Sequence, residues 1–162
     1  MISAILKLHH AAYRCRDSEE TRRFYEDFLG LQLVDTIYLE QTKTGRSSRV
    51  LHTFFRMDDG SHLAFFEVPD SAFEFKAQHD FDLHIALEVV PATLEVMRQK
   101  GKSAQIETRG VSDHPGIRSI YFRDPNGYVV ELCARKPATS SVASPSDARV
   151  ALDQWTSAKS RR

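Results

Sequence analysis

The chain contains two halves that look like copies of each other, and this repeat constrains the fold more than any other feature. In each half a histidine lies on an apolar, strand-like run, a helix-like stretch follows, and a glutamate stands in the last strand-like run. The pairs are His10 with Glu67 and His84 with Glu131. Four such ligands can surround one divalent metal where the copies meet, and imidazole and carboxylate suit Zn, Fe, Ni or Mn. The repeat therefore predicts a metal centre between two modules.

Length and composition limit the class of protein. A chain of 162 residues is the size of one ordinary domain, or of two repeats that share a core. Its 22 basic and 22 acidic residues give a formal net charge of zero, which removes any whole-protein attraction to nucleic acid or an anionic membrane. Two cysteines are no dense disulfide framework, and no segment approaches about 18 consecutive apolar residues. We therefore expect a cytoplasmic protein with no nucleic-acid or membrane partner.

Hydrophobic periodicity predicts that each half has the order strand, helix, strand, strand, strand. Module 1 spans about 6–68, a linker follows over 69–82, and module 2 spans about 83–135, within one domain over 1–136. The predicted strands cover residues 6–15, 31–40, 50–57 and 62–68, then 83–90, 103–109, 117–123 and 128–134. The fold class that follows is α+β, with paired βαβββ modules forming a curved mixed sheet around a central metal cup.

The two predicted helices have recognisable ends. Asp17 followed by Glu20 three positions later is typical of a capping box at a helix start. Gly30 suits the position after the last turn of this helix. The second helix covers 91–100 and is predicted to end at Gly101.

The composition changes after Lys136. Residues 137–146 are rich in Pro, Ala and Ser and are predicted to form a flexible linker. Residues 147–162 form a predicted C-terminal helix that packs on the domain or on a partner subunit. Its apolar residues at helical spacing are Ala148, Ala151, Leu152 and Trp155.

One turn predicts a register. The segment Asp124–Gly127, with the sequence DPNG, fits a type I turn followed by a left-handed glycine, which closes a three-residue hairpin. This hairpin pairs Asp124 with Tyr128, and hence Tyr121 with Glu131. Cross-strand partners share a face, so Tyr121 is expected beside the predicted ligand. A two-residue loop would instead turn Tyr121 to the opposite face.

Alternation along the strands assigns the predicted ligands to one face. His10, His84 and Glu131 fall on the side away from the helices, whereas apolar neighbours such as Leu87 face the helices. The parity of His9 places it on the helix side. The alternative is that these are ordinary polar residues on a solvated sheet face. The recurrence of the same residue types at corresponding places in both modules favours the metal cup.

These motifs resemble the vicinal oxygen chelate superfamily, which includes glyoxalase I, type I extradiol dioxygenases, fosfomycin-resistance proteins, methylmalonyl-CoA epimerase and the bleomycin-resistance proteins. The resemblance covers roughly residues 6–135 and is carried by His10, then Asp17 and FYEDFLGL, by LHIALEV and by DPNGYVVEL. It implies paired βαβββ modules that form a cup around a divalent metal. By position, His10, His84 and Glu131 match the ligands that the metal-binding members share.

The resemblance also implies further site residues, which differ between branches. Glyoxalase-like and epimerase-like members place a fourth ligand in the last strand of the first module, where Glu67 stands. The extradiol dioxygenases use only two histidines and one glutamate, and their last module is similar to DHPGIRSIYFRDPNGYVVE. There His114 and Tyr121 match a histidine and a tyrosine near the metal, and His62 matches a further acid/base histidine. Because His62 and Glu67 are an odd number of positions apart, a regular strand cannot direct both into the cup.

Three functional interpretations follow from the resemblance. The first is an extradiol ring-cleavage dioxygenase that uses Fe(II) on a catechol-type substrate, with Tyr121 and His114 or His62 orienting the substrate and transferring protons. The second is a glyoxalase I-like lyase or an epimerase, with Zn, Ni or Mn as alternative metals and Glu67 as the fourth ligand. The third is a non-enzymatic small-molecule binding protein of the bleomycin-resistance type.

The partners are the same for both enzymatic interpretations. The substrate is a small molecule that chelates the metal through vicinal oxygens, and the resemblance also implies a homodimer. No segment of the sequence forms an obvious nucleotide-binding or thiol-cofactor loop.

Overall fold

The computed structural model describes residues 4–41, 45, 47–137 and 144–159, and its fold class is α+β, as predicted. Most of the predicted linker over 137–146 lies outside the described residues. The strands are β1 His10–Cys15, β2 Gln32–Gln41, β3 Ser47–Arg56, β4 His62–Glu67, β5 His84–Glu88, β6 Thr108–His114, β7 Ile117–Arg123 and β8 Val129–Arg135. The helices are α1 Ser18–Arg22, which continues as a π-helical segment over Arg23–Phe28, α2 Pro91–Ser103 and α3 Pro145–Lys159.

Each module forms one curved four-stranded sheet. The strand orders are β1-β4-β3-β2 and β5-β8-β7-β6. In both sheets the first strand of the module runs parallel to the last, and the other neighbours are antiparallel. The matching strand orders confirm the paired βαβββ modules that the repeat predicts.

The helix of the first module covers one face of its sheet. It starts at the predicted cap, where the Asp17 carboxylate accepts a hydrogen bond from the N–H of Glu20 at 2.8 Å. Along the π-helical segment, Tyr25 is fully buried, and its ring centroid lies 4.6 Å from that of Phe65 on β4. The aromatic residues of this helix therefore form the core of the first module.

The first strand begins later than the sequence predicts. β1 starts at His10 rather than at residue 6, and Ile5 and Leu6 are 95% and 94% exposed. His10 pairs with His62, the first residue of the neighbouring strand β4. The carbonyl of His9 accepts the last backbone hydrogen bond of this ladder, from the N–H of His62 at 3.1 Å, and the register pairs begin at His10.

The prediction that α2 ends at Gly101 is wrong, because the helix continues to Ser103. Gly101 is buried, and a Cβ atom there would lie 2.6 Å from Cε1 of Phe122 on β7. The glycine thus allows close packing of the helix on the sheet. As a consequence, β6 begins at Thr108 rather than at the predicted residue 103.

The turn at Asp124–Gly127 has the predicted geometry. The N–H of Asp124 donates to the carbonyl of Tyr128 at 2.9 Å, and Gly127 has a φ of +97°. Tyr121 pairs with Glu131 across β7 and β8. The hairpin register predicted from the DPNG sequence is confirmed.

The same turn joins the two modules. The hydroxyl of Tyr25 donates to Oδ2 of Asp124 at 3.1 Å, and Oδ1 of Asn126 accepts from the N–H of Arg16 at 2.9 Å. Asp124 and Asn126 are buried, and this burial raises the pKa of the Asp124 carboxyl. The helix-covered faces of both sheets thus share one core, while His10 and His84, on the opposite faces, are exposed.

The C-terminal helix α3 buries none of its side chains in the single chain. Leu152 and Trp155 are 54% and 67% exposed. No helix in the described ranges, α3 included, is long and apolar enough to cross a membrane.

Candidate functional site

The open face of the second sheet carries two of the predicted ligands. On the parallel strands β5 and β8, His84 lies opposite Val129, and Ala86 lies opposite Glu131. The offset of two positions between His84 and Glu131 keeps both side chains on one face. Nε2 of His84 lies 3.3 Å from Oε2 of Glu131.

The Glu131 carboxylate is buried and held in place. It is 6% exposed, and the Ser119 hydroxyl on β7 donates a short hydrogen bond to its Oε1. A buried carboxylate is costly unless its oxygens have partners. Because Ser119 occupies Oε1, the other oxygen is directed to His84.

His84 is held in one tautomer. Its Nδ1 lies 2.7 Å from the backbone carbonyl of Asp80, which can only accept a hydrogen bond. In the neutral imidazole the proton therefore resides on Nδ1, and the lone pair of Nε2 faces Glu131. Metal-binding histidines are commonly oriented by such a bond from the second ring nitrogen.

The spacing of this pair fits a divalent metal. Imidazole nitrogen and carboxylate oxygen bind such ions at about 2.0–2.2 Å, so two adjacent ligand atoms on one ion lie about 3.0–3.4 Å apart. The 3.3 Å between Nε2 of His84 and Oε2 of Glu131 falls in this range. The pair can supply two ligands to one ion.

The structure brings together Tyr121 and His114, which the resemblance places near the metal. Nε2 of His114 lies 3.0 Å from the hydroxyl of Tyr121, because the β6–β7 hairpin pairs His114 with Ile117. Tyr121 is the cross-strand neighbour of Glu131. Burial, and then the charge of Glu131, raise the pKa of the Tyr121 phenol, so it stays protonated and can donate.

Sequence reasoning missed Arg109, which connects several of these groups. Its guanidinium donates to Oδ1 of Asp80 at 2.7 Å and lies 5.2 Å from the centre of the Tyr121 ring. Arg109 is the cross-strand partner of Tyr121 on β6. Residue 109 lies within the predicted strand 103–109, but its place beside Tyr121 follows from the register between β6 and β7, which was not predicted.

The open face of the first sheet carries His10 and His62. They are partners on the parallel strands β1 and β4 and therefore share a face. The ring of Phe54 on β3 lies near both, with centroid distances of 5.8 Å to His10 and 6.1 Å to His62. This face combines imidazole and aromatic rings.

The prediction that His9 lies on the helix side is wrong. His9 precedes β1, so strand parity does not apply to it, and its side chain is exposed. Its Nδ1 lies 2.8 Å from Nδ1 of His10, and its ring centroid lies 6.1 Å from that of His62. His9 thus belongs to the same group of imidazoles.

His52 is a further histidine on this face that sequence reasoning did not identify. It lies on β3 opposite Phe66, and the two rings stack with centroids 3.6 Å apart and an angle of 9°. Its Nδ1 lies 3.0 Å from the carbonyl of Phe65, and only 7% of the residue is exposed. These contacts give His52 a packing role.

Glu67 points away from the open face. It lies opposite Cys15, five positions along from the His10–His62 pair, so it takes the helix-covered side. Its Oε2 accepts a hydrogen bond from the N–H of Ser18 at 2.7 Å, at the start of α1. The structure therefore places Glu67 as a partner of the helix start and apart from His10.

The three predicted ligands do not converge within one chain. His10 lies on the first sheet, whereas His84 and Glu131 lie on the second. Among the residues that the structure describes, no three His, Cys, Asp or Glu side chains are arranged to hold a metal ion. A single copy thus supplies parts of the predicted centre on two separate faces.

Comparison with known families identifies a match that covers most of the chain. A family model described as the glyoxalase/bleomycin resistance protein/dioxygenase superfamily matches residues 7–132. Among characterised relatives, the chain is 25% identical over 140 residues to lactoylglutathione lyase from Haemophilus influenzae. That alignment covers 85% of this chain and 98% of the relative.

Solved structures show the same fold. A glyoxalase/dioxygenase from Nostoc punctiforme superposes with a TM-score of 0.62 at 23% identity, over 85% of this chain and all of that one. The fosfomycin resistance protein FosX from Mesorhizobium loti has a TM-score of 0.57 at 24% identity, over 80% of this chain and 91% of that one. At these identities the likeness concerns architecture alone.

Proposed function

Because this chain belongs to the glyoxalase/bleomycin resistance protein/dioxygenase superfamily, we propose that it is a metal-dependent enzyme acting on a small molecule with two neighbouring oxygens. The observation that carries the proposal is the His84–Glu131 pair. In neutral His84, Nδ1 donates to the Asp80 carbonyl, so the lone pair of Nε2 lies 3.3 Å from an oxygen of the Glu131 carboxylate. A divalent metal can bind both atoms at this spacing, and it would join the imidazole and the carboxylate as two of its ligands.

We assign the third ligand to His10 of a second copy. His10 and His84 both lie exposed on open sheet faces, and no three candidate ligands converge among the described residues of one chain. Two copies that present these faces to each other would unite His10 with His84 and Glu131. This assignment makes a homodimer part of the proposed centre.

The favoured reaction is extradiol cleavage of a catechol-type substrate. Glu67 lies on the helix-covered side, so the candidate ligands number three, which suits a centre with open positions. Bound Fe(II) would supply Lewis acidity and one-electron chemistry toward O₂. The hydrogen-bonded pair of His114 and Tyr121, beside Glu131, can hold and transfer a proton at a substrate oxygen.

The experiment is oxygen uptake by protein loaded anaerobically with Fe(II) and exposed to air with a panel of catechols. We expect one O₂ consumed per ring-cleaved product, and a loss of about 10²-fold in rate with Tyr121→Phe at retained metal content. A panel that gives no oxygen uptake, although the protein binds Fe(II), removes the dioxygenase proposal.

A glyoxalase-like lyase is the second candidate, and its support is the relative in Haemophilus influenzae, matched over 98% of its length. The placement of Glu67 on the helix-covered side weighs against four ligands. Turnover of a hemithioacetal with Ni or Zn, without oxygen, would select this candidate. If no divalent metal raises Tm, the protein is instead a small-molecule binding protein.

A further inference from the structure

A cleft of about 510 Å³ opens between the two modules on their helix-covered sides. Its floor is apolar and comes from both modules, with Leu29 and Met57 from the first and Leu87 from the second. Its rim is acidic at Asp58 and Asp59, whereas Glu88 on the same rim pairs with Arg135. An exposed apolar surface with a charged rim is typical of a site that another element covers.

The helix α3 has a matching uncovered face. Ala148, Ala151, Leu152 and Trp155 recur at helical spacing, and no residue of the helix is buried. Trp155, the single tryptophan of the chain, is 67% exposed. An aromatic residue of this size is the kind of anchor that interfaces bury at their centre.

The charge of α3, and the place where the chain leaves β8, also favour the cleft as its binding site. The last turn of α3 carries the basic residue Lys159, whose charge complements the acidic residues of the rim. A shallow depression lined by Asp58, Glu88 and Arg135 continues the cleft, and Arg135 is the last residue of β8. The chain that leads to α3 therefore leaves the sheet beside this surface.

We propose that α3 of one copy docks in the intermodule cleft of a second copy, with Trp155 on the apolar floor and the basic end of the helix toward the acidic rim. In a single copy, α3 does not occupy the cleft, so the helix face and the cleft both remain exposed to solvent. Each copy carries one helix and one cleft, so exchange between two copies covers both pairs. This inference does not depend on the metal centre.

The single tryptophan makes docking measurable in the full-length protein. Fluorescence emission and acrylamide quenching of Trp155 are recorded across a dilution series with a metal chelator present, and particle mass is measured by light scattering. We expect blue-shifted, protected emission at high concentration, in particles of at least dimer mass, and a red shift on dilution. Exposed-type emission at every concentration overturns the proposal, as does buried-type emission in a monomer.

A pair of charge-reversal variants tests the position of the helix. Asp58→Lys reverses the rim charge and should raise the concentration at the midpoint of the red shift by roughly fivefold. Asp82→Lys makes the same charge change at an exposed acid outside the cleft and should leave the midpoint unchanged. Equal effects of the two variants would assign the change to net charge and overturn docking at this rim.

Mixing shows whether the helix crosses between copies. Asp58→Lys protein is held at a concentration where its Trp155 is exposed, and an excess of Trp155→Ala protein, which has an intact cleft and no tryptophan, is added. Emission should return to the blue, because the helix of one variant enters the cleft of the other. Emission that stays unchanged overturns exchange between copies.

Discussion

The two open sheet faces share a backbone plan but differ in what they carry. On the second sheet, Glu131 lies opposite Ala86, two positions after His84, so the carboxylate and the imidazole share a face. On the first sheet, Glu67 lies opposite Cys15, five positions after His10. An even offset along a strand keeps the face and an odd offset reverses it. The repeat therefore preserves the residue types without preserving their geometry.

The position on the first sheet that corresponds to Glu131 is occupied by Ala64. Ala64 lies opposite Ala12, two positions after His10, just as Glu131 lies opposite Ala86, two positions after His84. The proposed metal site thus has its carboxylate on only one of the two sheets. The first face offers imidazole and aromatic rings, whereas the second offers an oriented carboxylate and its hydrogen-bonding partners.

The largest expected effect comes from replacing each glutamate in turn by glutamine, which tests whether the two glutamates differ in their role at the metal. Glu131→Gln should weaken divalent-metal affinity by at least about 100-fold, because it removes the one carboxylate that faces His84. Glu67→Gln should leave metal affinity within about twofold. It should cost only about 1 kcal/mol of stability, from the bond to the N–H of Ser18. Calorimetric titration with Mn(II) and urea unfolding provide the two measurements.

The outcome is informative in both directions. Equal losses of metal affinity in the two variants would mean that Glu67 leaves the helix start and coordinates, which would favour a four-ligand lyase. A loss confined to Glu131→Gln would agree with a three-ligand centre. Each variant serves as the matched control for the other, since both exchange a glutamate for its amide.

Local sequence was sufficient for features that depend on one strand or one turn. The DPNG sequence fixed the hairpin, so it correctly placed Tyr121 opposite Glu131. Alternation within single strands placed His10 and His84 on open faces. Such predictions succeed because side-chain direction follows from parity once the strand is located.

Other features depend on how strands meet, which the sequence does not encode locally. The direction of Glu67 follows from the register between β1 and β4, and the exposure of His9 follows from its place just before the first register pair of β1. Arg109 was missed because its place beside Tyr121 follows from the register between β6 and β7. In each case tertiary contact overrides the local signal.

A second variant tests whether the contacts that orient His84 set the metal affinity of the second sheet's open face. Arg109→Gln removes the ion pair that holds the Asp80 segment, and Asp80 in turn fixes the tautomer of His84. We expect metal affinity to fall about 10-fold, the effect typical of an outer hydrogen-bonding partner. The fraction of His84 protonated at Nδ1, measured by ¹⁵N NMR of the imidazole, should fall as well.

The matched control is Arg98→Gln, which removes a surface ion pair with Glu95 of the same 2.7 Å length on α2. It should change neither the metal affinity nor the His84 spectrum, because exposed ion pairs contribute little and this pair is remote from the site. If Arg109→Gln behaves like Arg98→Gln, the Asp80 carbonyl is held without the arginine.

The smallest expected effect concerns His52, which lies on the open face of the first sheet and tests whether that face also binds metal. His52→Gln removes a ring that stacks on Phe66 at 3.6 Å and a bond to the Phe65 carbonyl, so it should cost about 1–2 kcal/mol of unfolding free energy. Mn(II) affinity should stay within about twofold, since these contacts use His52 for packing. Urea unfolding and metal titration of this variant, with His79→Gln at an exposed linker histidine as control, separate the two roles. A 10-fold loss of metal affinity would instead place His52 among the ligands of the first face, and the two faces would then be more alike than their registers indicate.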